Sequence, residues 1–226
     1  MFTALNDRIF AVVPVKRFEM SKSRLKFFLT VESRIRLTEL LLIDTVSTLN
    51  NSKSVDTVII VSGDERARLI STRMGAKFLK EDIDSGVDQA VTTGDDFSNK
   101  NGADATIIVP HDLPLLQPSQ IDMISRLGES CDKCIGICPS LRHDGTNLLL
   151  RKPIDVIKTH YDDDSYTKHI EEALDAKASI FVLLSDNTMI DIDTKRDIEV
   201  LAKYESKTSA ALNYVKQATT GSRSFI

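Results

Sequence analysis

Cations and carboxylates make up most of the residues in this chain whose types and spacing could do chemistry. Lys16-Arg-Phe-Glu-Met-Ser-Lys22-Ser-Arg24 carries four cations in nine positions. Such a loop could neutralise a polyphosphate, with Arg24 offering a fork of donors and Lys16 and Lys22 acting as point charges. A solvated basic loop would show the same spacing. Asp112, in His111-Asp112-Leu113-Pro114, directly follows an apolar run. From there it could hold a divalent cation, or cap the turn that the proline fixes. In Ile190-Asp191-Ile192-Asp193-Thr194, an extended backbone would put Asp191 and Asp193 on one face. Asp193 could cap the helix that follows or supply a second carboxylate; for Asp191 solvent exposure is the plain alternative. One carboxylate from each of two distant segments is what an octahedral Mg²⁺ shared with substrate phosphates needs.

Other polar positions carry less. Asp144-Gly-Thr146-Asn147 is a turn by composition, though the Thr146 hydroxyl could also bond a phosphate or carboxylate. Ser165 reads as a helix N-cap, a place that also suits anions. The acidic run Asp162-Asp163-Asp164 reads as solvated, and His169 falls on the helix after it. Neither G-x-x-x-x-G-K-[ST] nor G-x-G-x-x-G occurs, so a P-loop and a dinucleotide fingerprint are both missing. No Ser/His/Asp or Cys/His nucleophile set can be picked out. Cys131, Cys134 and Cys138 are odd in number and lack an evident fourth ligand. They read as reduced core thiols rather than a disulfide framework or an iron–sulfur site.

The elements that must position these residues follow from hydrophobic patterning. The 226 residues are 42% hydrophobic and 27% charged, which excludes a disordered chain and allows one ample domain. A net charge of -4 argues against broad binding to duplex nucleic acid. No apolar run approaches the ~20 residues of a membrane span, and the N-terminus lacks a signal-peptide core. The chain therefore reads as soluble and cytoplasmic, with neither membrane nor nucleic acid as partner. Apolar runs at 9–15, 55–62, 76–79 and 105–110 predict strands, and 33–49, 65–74 and 86–97 predict the helices between them. Helices are also expected over 118–127, 165–176 and 196–204, with strands over 135–141, 147–150 and 179–184. The bend 142–146 is too short for a helical crossover, so its flanking strands should pair as a hairpin. This alternation predicts a three-layer α/β domain over 1–205, with a mainly parallel sheet and a mixed edge. A helical segment and tail would occupy 206–226. In such sheets the ligand crevice lies at the carboxyl ends of the strands.

In order along the chain stand Val13-Pro-Val-Lys16, Lys22-Ser-Arg-Leu25, Gly86-Val-Asp-Gln-Ala90, Asp112-Leu-Pro-Leu115, Asp144-Gly-Thr-Asn147, Ser165-Tyr166 with His169, and Asp191-Ile-Asp-Thr194. The ordered set, over roughly 9 to 203, resembles the 2-phospho-L-lactate guanylyltransferases. That family has a Rossmann-like nucleotidyltransferase (GT-A-like) fold, and its archaeal members act in assembly of the deazaflavin coenzyme F(420). The resemblance implies that Lys16, Lys22 and Arg24 wrap the phosphates of GTP, and that Asp112 and Asp193 hold Mg²⁺. It implies that Thr146 and Ser165 hold the acceptor phosphate, and that Gly86 begins a segment beside the nucleotide. Relatives read G-L-N-x-A at that segment, whereas this chain has Asp88 in place of the Asn. They also often carry glycines where this chain has Asp162 to Asp164. The implied reaction moves GMP from GTP to 2-phospho-L-lactate, whose phosphate is already an anion and needs no general base. Phosphoenolpyruvate or a molybdopterin-type cofactor are alternative acceptors, and a non-catalytic nucleotide-binding subunit is the alternative of another class. The family also implies homodimers. The apolar set Ala210, Ala211, Leu212, Tyr214 and Val215 must pack on its own domain or on a neighbour, and a homodimer tilts that expectation toward a two-fold contact.

Overall fold

Apolar, mostly branched residues at successive positions make Ile9–Val15 (β1) a strand that needs cover on both faces. A computed structural model describes residues 7–204 and 209–220, the side chains of 218–220 excepted, and places β1 inside a seven-stranded sheet. The other strands are Thr57–Ser62 (β2), Lys77–Lys80 (β3), Ala105–Ile108 (β4), Cys134–Pro139 (β5), Thr146–Lys152 (β6) and Ser179–Val182 (β7). Their order is β3-β2-β1-β4-β6-β5-β7. β1 to β4 are mutually parallel, and β6 runs antiparallel to both β4 and β5. The short bend at 142–146 is what reverses the chain between β5 and β6. β7 returns parallel to β5 along the far edge.

Alternation along the strands divides the core. Ile9, Ala11, Val13 and Val15 join one apolar cluster with Val58, Ile60, Ile107 and Leu150. Phe10 and Val12 face the other side, with Ile59 and Val61. The first face is covered by Val31–Asn50 (α1), Glu65–Met74 (α2) and Pro118–Glu129 (α4), which contribute Leu42, Val46, Ala67, Ile70, Ile121 and Ile124. Val87–Lys100 (α3) and Ser165–Asp175 (α5) cover the second, through Ala90, Val91 and Ala173. α3 lies so close that a Cβ on Gly94 would come within 2.5 Å of Val12. The expected three layers are therefore present.

Two segments differ from the sequence expectation. The stretch leading to Asp191 is the short helix Asp186–Met189 (α6) and then irregular chain, and the next helix, Lys195–Leu201 (α7), is shorter than 196–204. Ser185 and Thr194 cap these helices through their side chains, a local preference stronger than a short strand pattern. The C-terminal helix Ala210–Thr220 (α8) packs on its own domain, against α1 and α7. Ala211, Leu212 and Val215 are buried among Leu37, Leu40, Leu41, Ile198 and Leu201. Packing on its own domain, one of the two expectations for that stripe, accounts for these three residues; the polar end from 221 lies outside the described residues. Asp44 of α1 fixes the helix start, accepting from Ser209 Oγ (2.8 Å) and the Ala211 N–H (2.9 Å). Among the described residues no helix is long and apolar enough to cross a membrane.

Candidate active site

The carboxyl ends of β1, β3 and β4 open into one cavity of about 290 Å³, near the lower limit for ligand sites, ~300 Å³. Its wall includes Lys16, Lys22, Arg24, Glu81, Gly86, His111, Asp112, Tyr161 and Asp193. The loop after β1 is anchored at both ends of its turn. Buried Phe18 donates its N–H to Asp64 Oδ2 at 2.8 Å, and buried Arg34 of α1 donates to the Ser21 carbonyl at 2.9 Å. Lys22 then takes a left-handed backbone, φ 53 and ψ 36, at the start of a single 3-10 turn.

That turn delivers the Lys22 ammonium between two carboxylates. Nζ lies 3.0 Å from Asp112 Oδ2 and 3.1 Å from Asp193 Oδ1. The lysine side chain is only 4% exposed. Burial alone would lower its pKa, but Asp112 and Asp193 outweigh burial and hold it above the ordinary lysine range. Asp112 is held low in return: burial would raise it, and the Lys22 charge prevails. Arg24, largely exposed, reaches Asp193 Oδ2 at 3.3 Å. The two acidic segments are joined by the backbone, since the Ile192 N–H donates to the Asp112 carbonyl at 3.1 Å. Asp193 is not the helix cap. Thr194 and Asp197 form a reciprocal capping box for α7, which leaves the Asp193 carboxylate free to meet Lys22 and Arg24.

Asp191, for which solvent exposure was the plain expectation, is partly buried. Burial, with Asp112 and then Asp193 nearby, pushes its carboxyl up to about 7. After burial, the raised value reflects the negative charge that Asp112 and Asp193 already place there. Two carboxylates within reach of one ammonium suit a hard divalent cation by donor chemistry. Among the described residues no three His, Cys, Asp or Glu side chains are closed around a common point. A cation held by Asp112 and Asp193 would thus draw its other oxygens from water and substrate.

Other sequence candidates fall elsewhere. Gly86, at φ 94, caps α3 and lines the cavity. Asp88 is not in the wall; it accepts from the Tyr161 N–H at 3.1 Å and so positions a residue that is. Thr146 and Ser165 come together, Oγ to Oγ1 at 3.2 Å, but both are buried and neither lines the cavity. Thr146 Oγ1 also meets His169 Nδ1 at 3.0 Å, while the His160 N–H donates to His169 Nε2. That pattern puts the ring proton on Nδ1. Burial pushes His169 down to about 4, so the ring is neutral. Asp162, Asp163 and Asp164 are exposed. Cys134 and Cys138 are buried free thiols, both pushed up to about 11 by burial.

Sequence reasoning missed Glu81, His111 and Tyr161, which line the cavity without belonging to a recognisable spacing. A signal of another kind marks all three. Six buried side-chain polar atoms among the described residues lack a hydrogen-bond partner, and three are Glu81 Oε1, His111 Nε2 and Tyr161 Oη. Orphaned polar atoms concentrate where a ligand would complete them.

The family model described as "Guanylyl transferase CofC like" matches residues 9–221. A phosphoenolpyruvate guanylyltransferase of Sphaerobacter thermophilus is 33% identical over 193 residues, covering 85% of this chain and 91% of its own. A 2-phospho-L-lactate guanylyltransferase of Methanobrevibacter smithii is 32% identical, covering 82% and 83%. Among solved structures, a cytidylyltransferase from Leptospira borgpetersenii matches with a TM-score of 0.61 at 14% identity, over 97% of this chain and 99% of that one. At such identity the likeness concerns the fold alone.

Proposed function

The chain belongs to the CofC-like guanylyl transferase family, and from that premise we propose that it transfers GMP from GTP to the phosphate of 2-phospho-L-lactate, a step of deazaflavin coenzyme assembly. A phosphate oxygen of the acceptor forms a bond to the α-phosphorus, the bond from that phosphorus to the bridging oxygen breaks, and pyrophosphate leaves. The acceptor arrives as an anion, so the work left to the protein is alignment and charge neutralisation. The observation that carries this reading is the Lys22 ammonium bound between Asp112 and Asp193 at the mouth of β1 and β4. In this reading Lys16, Lys22 and Arg24 bind the triphosphate. Asp112 and Asp193 would hold Mg²⁺, which would neutralise charge on the phosphates. Gly86 lies against the nucleotide. The paired hydroxyls of Thr146 and Ser165 serve the acceptor phosphate, for which they would exchange their contact with each other.

Phosphoenolpyruvate is the second reading for the acceptor, supported by relatives of that name at 30% and 33% identity. Pyrophosphate release from GTP separates the two. Rapid release with 2-phospho-L-lactate and little with phosphoenolpyruvate is expected. The reverse preference would establish the second reading, and no release with either would sink both. Family resemblance also supports a homodimer, for which light scattering should give about twice the 25.2 kDa chain mass.

A further inference from the structure

Glu81 follows β3 and lies in the cavity wall, yet its Oε1 is buried and has no hydrogen-bond partner. An acceptor in that condition is costly unless a donor completes it. Its main chain is pinned. The Glu81 N–H donates to the Ser62 carbonyl at 3.0 Å, and its own carbonyl sits where a Cβ on Gly63 would approach to 2.7 Å. The nearby Asp84 carboxylate is already engaged, accepting from the Gly86 N–H at 3.4 Å. Burial and then Asp84 push the Glu81 carboxyl above the usual range, although a backbone hydrogen bond from Ser85 pulls the other way; the unpartnered oxygen is Oε1.

Position adds the second part. In the strand order β3-β2-β1-β4, Glu81 and Asp112 leave strands three spacings apart, roughly 14 Å. The basic loop after β1 lies between them. Phosphates over that loop, with the reacting α-phosphorus toward Asp112, put the base of the nucleotide at the β3 end. Guanine presents two adjacent donors there, N1–H and the exocyclic N2 amine, which a single carboxylate can accept together.

We propose that Glu81 selects guanine by accepting from N1–H and the N2 amine of the bound nucleotide. The proposal rests on the guanylyl-transfer reading above and names the residue that makes it specific. Xanthine keeps N1–H but replaces the amine with a carbonyl, which a carboxylate repels and a carboxamide N–H satisfies.

Equilibrium binding of GTP and XTP in the presence of Mg²⁺ tests this for the whole chain and for Glu81→Gln and Glu81→Ala. The unaltered protein should prefer GTP to XTP by about tenfold or more. Glu81→Gln should invert that preference, and Glu81→Ala should level it while leaving measurable binding of both. An unaltered protein with no preference for GTP would overturn the guanylyl reading itself. A clear GTP preference that survives in both variants would overturn the role of Glu81 and leave that reading standing. Equal loss of both nucleotides in both variants would make Glu81 a structural residue and also end the proposal.

Discussion

A lysine in the left-handed region carries a backbone cost of ~1–3 kcal/mol, and Lys22 is held there at φ 53. The compensation is local: two carboxylates at 3.0 and 3.1 Å, and a loop fixed by Asp64 and Arg34. Replacing Lys22 by Met keeps much of the stem's volume but removes the charge that Asp112 and Asp193 share. We expect Lys22→Met to lower turnover with GTP on the order of 10²-fold, with an unchanged far-ultraviolet dichroism spectrum. Turnover within a factor of two of the parent would exclude Lys22 from the reaction. Part of this site was legible beforehand, because Lys16, Lys22, Arg24 and Asp112 sit where strands end and such positions face the crevice. The rest was not. Lys22 and Asp193 are 171 positions apart, and no local spacing encodes that meeting. The burial of Asp191 depends on an irregular segment whose path is set by its tie to Asp112. Glu81 shows itself only through a missing hydrogen-bond partner.

Element by element, period and composition carried most of the information. Strands buried on both faces announce themselves as unbroken apolar runs, and the five-residue bend at 142–146 forced an antiparallel pair. Where competing local chemistry exists, the pattern misleads. The Asp-Ile-Asp alternation at 191–193 suggested extended chain feeding a helix, with Asp193 open between capping it and supplying a second carboxylate. The Thr194–Asp197 box instead takes over the cap. Close packing is likewise invisible in a sequence. Gly94 lies in the middle of α3, where glycine is costly to helix formation, and only the approach to Val12 explains it. Gly94→Ala should therefore destabilise the protein by ~1–3 kcal/mol despite alanine's better helix propensity. Urea unfolding would show this as a lower midpoint with the slope unchanged; a raised midpoint would mean that α3 shifts freely.

At the scale of the whole molecule, acid and truncation probe how the layers depend on each other. His169 is neutral when folded, pushed to about 4 by burial, then by His160 and Arg151, with Asp88 and Glu172 opposing. The unfolded chain takes up that proton near the ordinary value, 6.5. The folded state thus binds fewer protons below that pH. Its stability from this group is present above 6.5 and is lost as pH falls toward 4. His169→Gln should flatten the dependence of unfolding free energy on pH between 6.5 and 4, and an unaltered slope would assign it to other groups. Deleting residues 209–226 should uncover Leu37, Leu40, Leu41 and Leu201. Lower thermal stability and aggregation are expected, whereas a stable, soluble truncated chain would contradict a structural role for α8. The docking of α8 has a further consequence for how the molecule comes to exist. The apolar cluster under it joins Leu25 and Leu37, made early, to Ile192, Leu212 and Val215, made much later. Leu25 and Ile192 each adjoin one half of the ion pair between Arg24 and Asp193. A chain whose synthesis has not yet reached α8 can build the sheet and most of both helical layers, but it cannot close this corner. The basic loop and Asp193 are therefore steadied by a helix distant from both in the sequence, so the competence of this corner to bind the triphosphate depends on α8 being in place.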